Sequence, residues 1–320
     1  MSDLSVSAEA REKREARFRE IRLTLHILTR NPLSLVSILI FAFLFFLAAF
    51  APWVAPYPDA YQGVPHVADR YMPPGPGHLF GTDYLGRDIL SLIIFGTRLS
   101  LLAGFTIVAI AVAIGWPLGV IAGYVGGRID DIIMRTTDMF LAFPSLVLAL
   151  VIAFALGPSL INSMIAISVT WWPWYTRLAR ADAASLRERT FVEASKAVGL
   201  GDGTIMRRHI LPNTMAPVIV QATMDLGTAI LAEAGLSFLG LGAQPPTPEW
   251  GLMKHGPIGH FLGLVVRHFS WNLHLHHRDG IQSLWRRFER GLRPEAQKDK
   301  GRIDHVRDEP STSLGPRPEG

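Results

Sequence analysis

Residues 177–213 read RLARADAASLRERTFVEASKAVGLGDGTIMRRHILPN, and how this stretch is read decides the fold. Up to about Val198 it is made of good helix formers, with Ala, Leu, Arg and Glu dominant. Gly199 and Gly201 are then expected to stop that helix. A second short helix over roughly 203–210 leads to Pro212. The stretch is basic, with Arg177, Arg180, Arg187, Arg189, Lys196, Arg207 and Arg208, yet apolar runs flank it on both sides. Two short helices meeting at a glycine corner between such runs make a compact knob that projects from a bilayer.

Composition agrees with a membrane protein. The chain of 320 residues is 49% hydrophobic and only 18% charged, against about 25% charged in soluble domains. It has no cysteine, which excludes a disulfide framework and a cysteine zinc site. The net charge of +4 fits basic cytoplasmic loops better than nucleic-acid binding. The polar, basic first 30 residues precede an apolar segment too long for a signal-peptide core, so an uncleaved anchor is expected.

A membrane-spanning helix needs about 20 mostly apolar residues. Five such spans are expected, at about 33–52, 99–123, 139–157, 160–176 and 212–232. The Lys/Arg bias places the N-terminal segment 1–30 in the cytoplasm. An outer loop then covers 53–98, and 177–211 forms a cytoplasmic loop. The glycine-rich EAGLSFLGLG after the fifth span is expected to be a turn or short helix.

Within the opening stretch, EASKAVG is followed eleven residues after its glycine by ILP. This resembles the coupling loop of ABC importer permeases, and Glu193, Ala194, Gly199, Ile210, Leu211 and Pro212 match its pattern. Ala197 lies inside the motif, and Ser195 stands where that family usually has a second alanine. A second stretch, LFGTDYLGRDILSLIIFGTRLSLLAG, resembles the segment before the second span of peptide and nickel importer permeases. Its GTDxxGRD core is Gly81, Thr82, Asp83, Gly86, Arg87 and Asp88. Locally, Asp83 or Thr82 is expected to cap a helix starting near Leu85, with Arg87 and Asp88 as a charge pair. Further matches lie at Asp131 to Leu150, at Ala232 to Gly251 and at RNPL before the first span, so the resemblance covers roughly 30–253 in order.

The chain thus resembles the C-type permease subunit of dipeptide, oligopeptide or nickel ABC importers. The resemblance implies an all-α membrane protein with a type I importer helix bundle, in the inner membrane. It implies a second related permease subunit, two ATP-binding subunits that dock on the coupling loop, and an extracytoplasmic substrate-binding protein. This chain would bind no cofactor and no nucleic acid and would catalyse no reaction, the ATP being used by the partner subunits. Accordingly there is no G-x4-G-K-[ST] phosphate loop, and HExxH and GxSxG are also absent. The resemblance implies six spans where five are found.

Two acidic residues accompany the fifth span. Asp225 either lines the translocation path or makes a structural polar contact between helices, and Glu233 is expected at the outer end. Trp171, Trp172, Trp174 and Tyr175 are expected to form an interfacial aromatic belt.

Residues 254–320 hold no span and read as an atypical polar tail, its last part disordered in character. His268, His274, His276 and His277, with Asp279, would be the ligands if the chain were a metal-handling membrane protein. A secondary transporter is the other alternative, opposed by the coupling-type loop. The codons suggest something different. Read from the second base of each codon, histidine always becomes Thr, Ile or Met, and Trp271-Asn272 and Trp285-Arg286 must each give Gly. With permitted codons, Arg267 onward reads ATFPGIFIFTIAMAFNLFGDGL, an apolar span with the ending this family is expected to have. The tail from about 254 is therefore expected to be out of frame, and the chain to be impaired by loss of span 6.

Overall fold

The computed structural model describes residues 32–254. The segment 1–30 and the tail beyond Lys254, with its histidines, lie outside the described residues. The long elements are all helices: α1 Pro32–Val54, α2 Ile89–Val125, α3 Gly127–Leu141, α4 Ser145–Leu156, α5 Leu160–Arg187, α6 Thr190–Ala197, α7 Asp202–Ile205 and α8 Leu211–Phe238. A single π-helical turn, Met206–Ile210, joins α7 to α8 without a break.

By length and composition, two stretches among the described residues can cross a membrane, Ile89–Val125 and Asp202–Phe238. A third qualifies if the bent pair α3–α4 is counted as one. The expected third span is not one helix. Pro144 has no N–H to continue the ladder, and α3 and α4 meet there at 86°. Other expected boundaries move as well. The second span starts at Ile89 rather than Leu99, and the fifth helix runs through the predicted turn to Phe238.

The core is the pairing of α2 with α5, and glycine sets it. On α2, Gly115, Gly119 and Gly123 recur every four residues, one per turn on one face. A Cβ at each would collide with the backbone carbonyls of Trp172, Thr176 and Arg180 in turn. These contacts advance together along both helices, so α2 and α5 run parallel at close range. Thr176, Ala179 and Ala183 complete the seam, all fully buried. Small residues let helix backbones touch where no hydrophobic effect drives them together. Thr176 Oγ1 donates to the Gly115 carbonyl at 3.1 Å, and Trp116 Nε1 donates to Thr214 Oγ1 at 2.9 Å, tying α8 to α2.

The aromatic belt is a correction. Trp174 faces outward, but Trp172 and Tyr175 are buried among the helices. They lie on the α5 face that packs against α2, so helix pairing wins over interfacial anchoring.

Candidate functional site

The loop after α5 forms a knob, with one change from the expected outline. The helix expected to reach Val198 breaks at Glu188 and Arg189, where Arg189 is extended, and α6 starts afresh at Thr190. No glycine or proline marks the break. It turns α6 so that Val192 is fully buried, as are Ile205 and Ile210 on the returning limb. Gly199 ends α6 as expected. Its φ is +86°, Leu200 N donates to Ser195 O at 3.1 Å and Gly199 N to Lys196 O at 2.9 Å, the Schellman pattern. Gly201 is no stop but the extended residue that opens α7.

The motif residues divide by exposure. Glu193, Ala194, Ala197, Gly199 and Pro212 face solvent, Leu211 is half-buried and Ile210 is buried. Ser195 donates its hydroxyl to Phe191 O at 2.8 Å, so the side chain folds back on its own helix. Val198, at 83% exposure, crowns the corner next to the exposed Leu200, with the exposed Phe191 at the other end of α6. The result is a small apolar and acidic face held on a buried Val–Ile–Ile base.

The base is anchored by pairings between residues of the basic stretch 177–213 and partners on other helices that local sequence does not specify. Arg180 grips Asp130 on α3 with two bonds, Nε to Oδ1 at 2.5 Å and Nη2 to Oδ2 at 2.6 Å. That hydrogen bonding holds the Asp130 carboxyl below the usual carboxylate range. Arg177 pairs with Asp138 at 2.6 Å, but both are about half exposed, so the pair adds little. Tyr124, in the last turn of α2, donates its hydroxyl to Asp202 Oδ1 at 2.7 Å, and Lys196 Nζ lies 5.5 Å from its ring centre. Arg187 donates to the carbonyls of Tyr124 and Val125 at 3.3 and 3.4 Å. The sequence signal was acidic residues at 130 and 138 on one short helix, opposite arginines at 177 and 180.

The GTDxxGRD segment lies at the other end of the helices and is a folded clasp. The expected helix start near Leu85 is wrong, since α2 begins at Ile89 with Asp88 as its cap. Asp88 Oδ2 accepts from Ser91 N at 2.8 Å and from Ser91 Oγ at 2.7 Å, and its Oδ1 faces His78 Nδ1 at 3.0 Å. Asp83 instead closes a tight turn, its Oδ1 accepting from the amides of Leu85 and Arg87 at 2.8 and 2.9 Å. Arg87 therefore pairs with Asp83, not with Asp88, at 2.7 Å, and reaches across to the Pro246 carbonyl at 2.7 Å. Thr82 Oγ1 accepts from Met72 N at 2.8 Å and donates to Asp69 O. Gly81 and Gly86 have φ of +76° and +80° and are pressed against the carbonyls of Met72 and His66, which leaves no room for a Cβ. A cavity of about 470 Å³ opens beside the clasp, lined by Tyr71, Tyr84, Arg87, Thr247, Pro248 and Met253.

Asp225 is half-buried between α5 and α8, where it accepts from Tyr175 Oη at 2.7 Å and Gln221 Nε2 at 2.9 Å. Glu233 is fully buried near the end of α8, as is Glu249. Ser237 Oγ donates to Glu233 at 2.7 Å, and Gly251 N donates to Glu249 at 2.8 Å.

The comparisons with known proteins agree with this architecture. Residues 115–266 match the family described as binding-protein-dependent transport system inner membrane component. Residues 21–74 match the N-terminal TM domain of oligopeptide transport permease C. The match extends past Met253, where the sequence motifs had seemed to end. The probable D,D-dipeptide transport system permease protein DdpC of Escherichia coli (strain K12) is 43% identical over 77% of this chain and 82% of its own length. The dipeptide transport system permease protein DppC of Alkalihalophilus pseudofirmus is 47% identical over 71% of this chain and 73% of its own. The glutathione transport system permease protein GsiD of Escherichia coli O6:K15:H31 is 42% identical over 70% of this chain and 73% of its own. The chain belongs to the family of binding-protein-dependent transport system inner membrane components, and is a multi-pass membrane permease rather than an enzyme.

Proposed function

We propose that the chain is one of two pore-forming subunits of an ABC importer for small peptides. The carrying observation is the kind of relative it has: permeases named for D,D-dipeptide, dipeptide and glutathione transport, each matched over most of its length. The knob after α5 supports the rest. Its exposed Glu193, Ala194 and Val198 stand on a buried base, as a face that docks on an ATP-binding subunit would require. ATP is consumed by two such partners, and this chain binds no cofactor of its own. A binding protein delivers the peptide to the clasp end, and a second permease completes the pore. Closure of the ATPase pair moves the knob, and the helices follow as rigid bodies. Asp225, held by Tyr175 and Gln221, serves as a polar contact at the helix interface beside the path.

We infer that the frame change lies after residue 266 rather than near 254, because the family match runs through to 266. The family match ends at 266, and the apolar shifted reading starts at Arg267. Sequencing the gene tests this directly. A shifted frame that does not encode an apolar segment there removes the idea.

Function is tested by co-expressing the chain with the subunits encoded beside it, in its present form and with the shifted frame restored. The restored form is expected to import a labelled dipeptide with ATP, and the present form to import less. Glu193→Arg in the restored form is expected to cut uptake at least about tenfold by placing a wrong charge in the docking face, with its amount in the membrane unchanged. An ATPase that does not co-purify with the restored form would sink the reading.

A further inference from the structure

The glycine corner of the knob carries no packing of its own. A Cβ at Gly199, Gly201 or Gly203 would meet nothing within 4 Å. With no packing at the corner itself, the two limbs are held at their base, where Phe191 of α6 faces His209 of the returning limb and where one side chain of α2, Tyr124, touches both limbs. Tyr124 is buried at the last turn of α2. Its hydroxyl donates to Asp202, the first residue of α7, at 2.7 Å, and its ring faces Lys196 of α6 at 5.5 Å. Its carbonyl, with that of Val125, accepts from Arg187 at the end of α5. The same end of α2 is locked to α5 by the Gly115, Gly119 and Gly123 seam, so Tyr124 sits beside a close-packed helix pair. The returning limb joins α8 through the π-turn Met206–Ile210, and single π-turns inside helices are frequent at functional sites.

We propose that Tyr124 is a positioning residue for the knob, fixing the α6–α7 corner to the α2–α5 pair so that corner and pair move together. The hydroxyl is the essential part, because a phenylalanine would keep the ring and its burial but release Asp202. The role in transport rests on the coupling reading above; the positioning itself does not.

The test uses the full chain in lipid nanodiscs with spin labels at the exposed positions Val198 and Ile129. The parent should give one narrow distance distribution. Tyr124→Phe and Asp202→Ala should each broaden it, while Asp202→Asn, which keeps an acceptor oxygen, should leave it narrow. Thermal unfolding should barely move for Tyr124→Phe, which separates positioning from general loss of structure. Narrow distributions for both Tyr124→Phe and Asp202→Ala would overturn the proposal. In the assembled transporter with the frame restored, Tyr124→Phe should lower peptide transported per ATP hydrolysed by about fivefold or more. Broadening without any change in that ratio would support the positioning and instead remove the coupling role of the knob.

Discussion

Gly119→Leu is expected to prevent the α2–α5 pair from closing, with a loss of about 3 kcal/mol, the upper part of the usual range for overpacking. The carbonyl of Thr176 and the Cβ of Ala179 occupy the space a side chain would need. Backbone cannot rotate away as a flexible side chain can, so the two helices must separate along the whole seam. Separation would also break the Thr176 to Gly115 hydrogen bond and expose Ala179 and Ala183. Thermal unfolding in detergent, followed by the fluorescence of Trp116 and Trp172, gives the measurement. Gly203→Ala is the control, since nothing lies near that position and its effect should be within a few tenths of a kcal/mol. A Gly119→Leu protein that melts with the parent would show that the seam is not close-packed.

Arg87→Ala is expected to cost about 3 kcal/mol at the opposite end of the helices. Removing one partner of a buried ion pair leaves the other charge without compensation. Arg87 is 6% exposed and bridges Asp83 Oδ2 to the Pro246 carbonyl, so both oxygens lose this donor at once, although Asp83 Oδ1 keeps the amides of Leu85 and Arg87. The loss should resist salt, because buried pairs are poorly screened. Asp83→Asn should cost less, since one side-chain oxygen still serves the amides of Leu85 and Arg87. Stability of the two variants, with protease sensitivity of residues 243–253 as a local readout, distinguishes them. Equal loss for both would mean that the turn, and not the bridge to Pro246, dominates. The motif is thus a staple between two loops, built from residues adjacent in sequence and an acceptor 159 residues away.

Much of this protein was readable before any coordinates. Uncharged runs long enough to cross a bilayer depend on composition alone, and α2 and α8 lie where two of those runs are. Gly199 predicted its own Schellman turn because only glycine adopts φ of +86° freely. The coupling-type and GTDxxGRD motifs were legible as well, being short and local. The errors fell where a distant contact outweighs local preference. The helix break at Arg189 carries no sequence mark, because it is made by burying Val192. Asp88 rather than Asp83 caps α2 because Arg87 claims Asp83.

The permease family was legible through the resemblance of its motifs, and the sequence by itself determined a helical chain with apolar runs of membrane length and the positions of the knob and the clasp. These follow from properties each residue carries with it: apolarity, helix preference, the freedom of glycine and the missing N–H of proline. Only the tertiary structure decided the partners. That Gly119 faces Thr176, that Arg180 grips Asp130 and that Tyr124 reaches Asp202 are pairings across 50 or more residues. No local rule specifies them, because each depends on which helix faces turn toward one another once the bundle has closed.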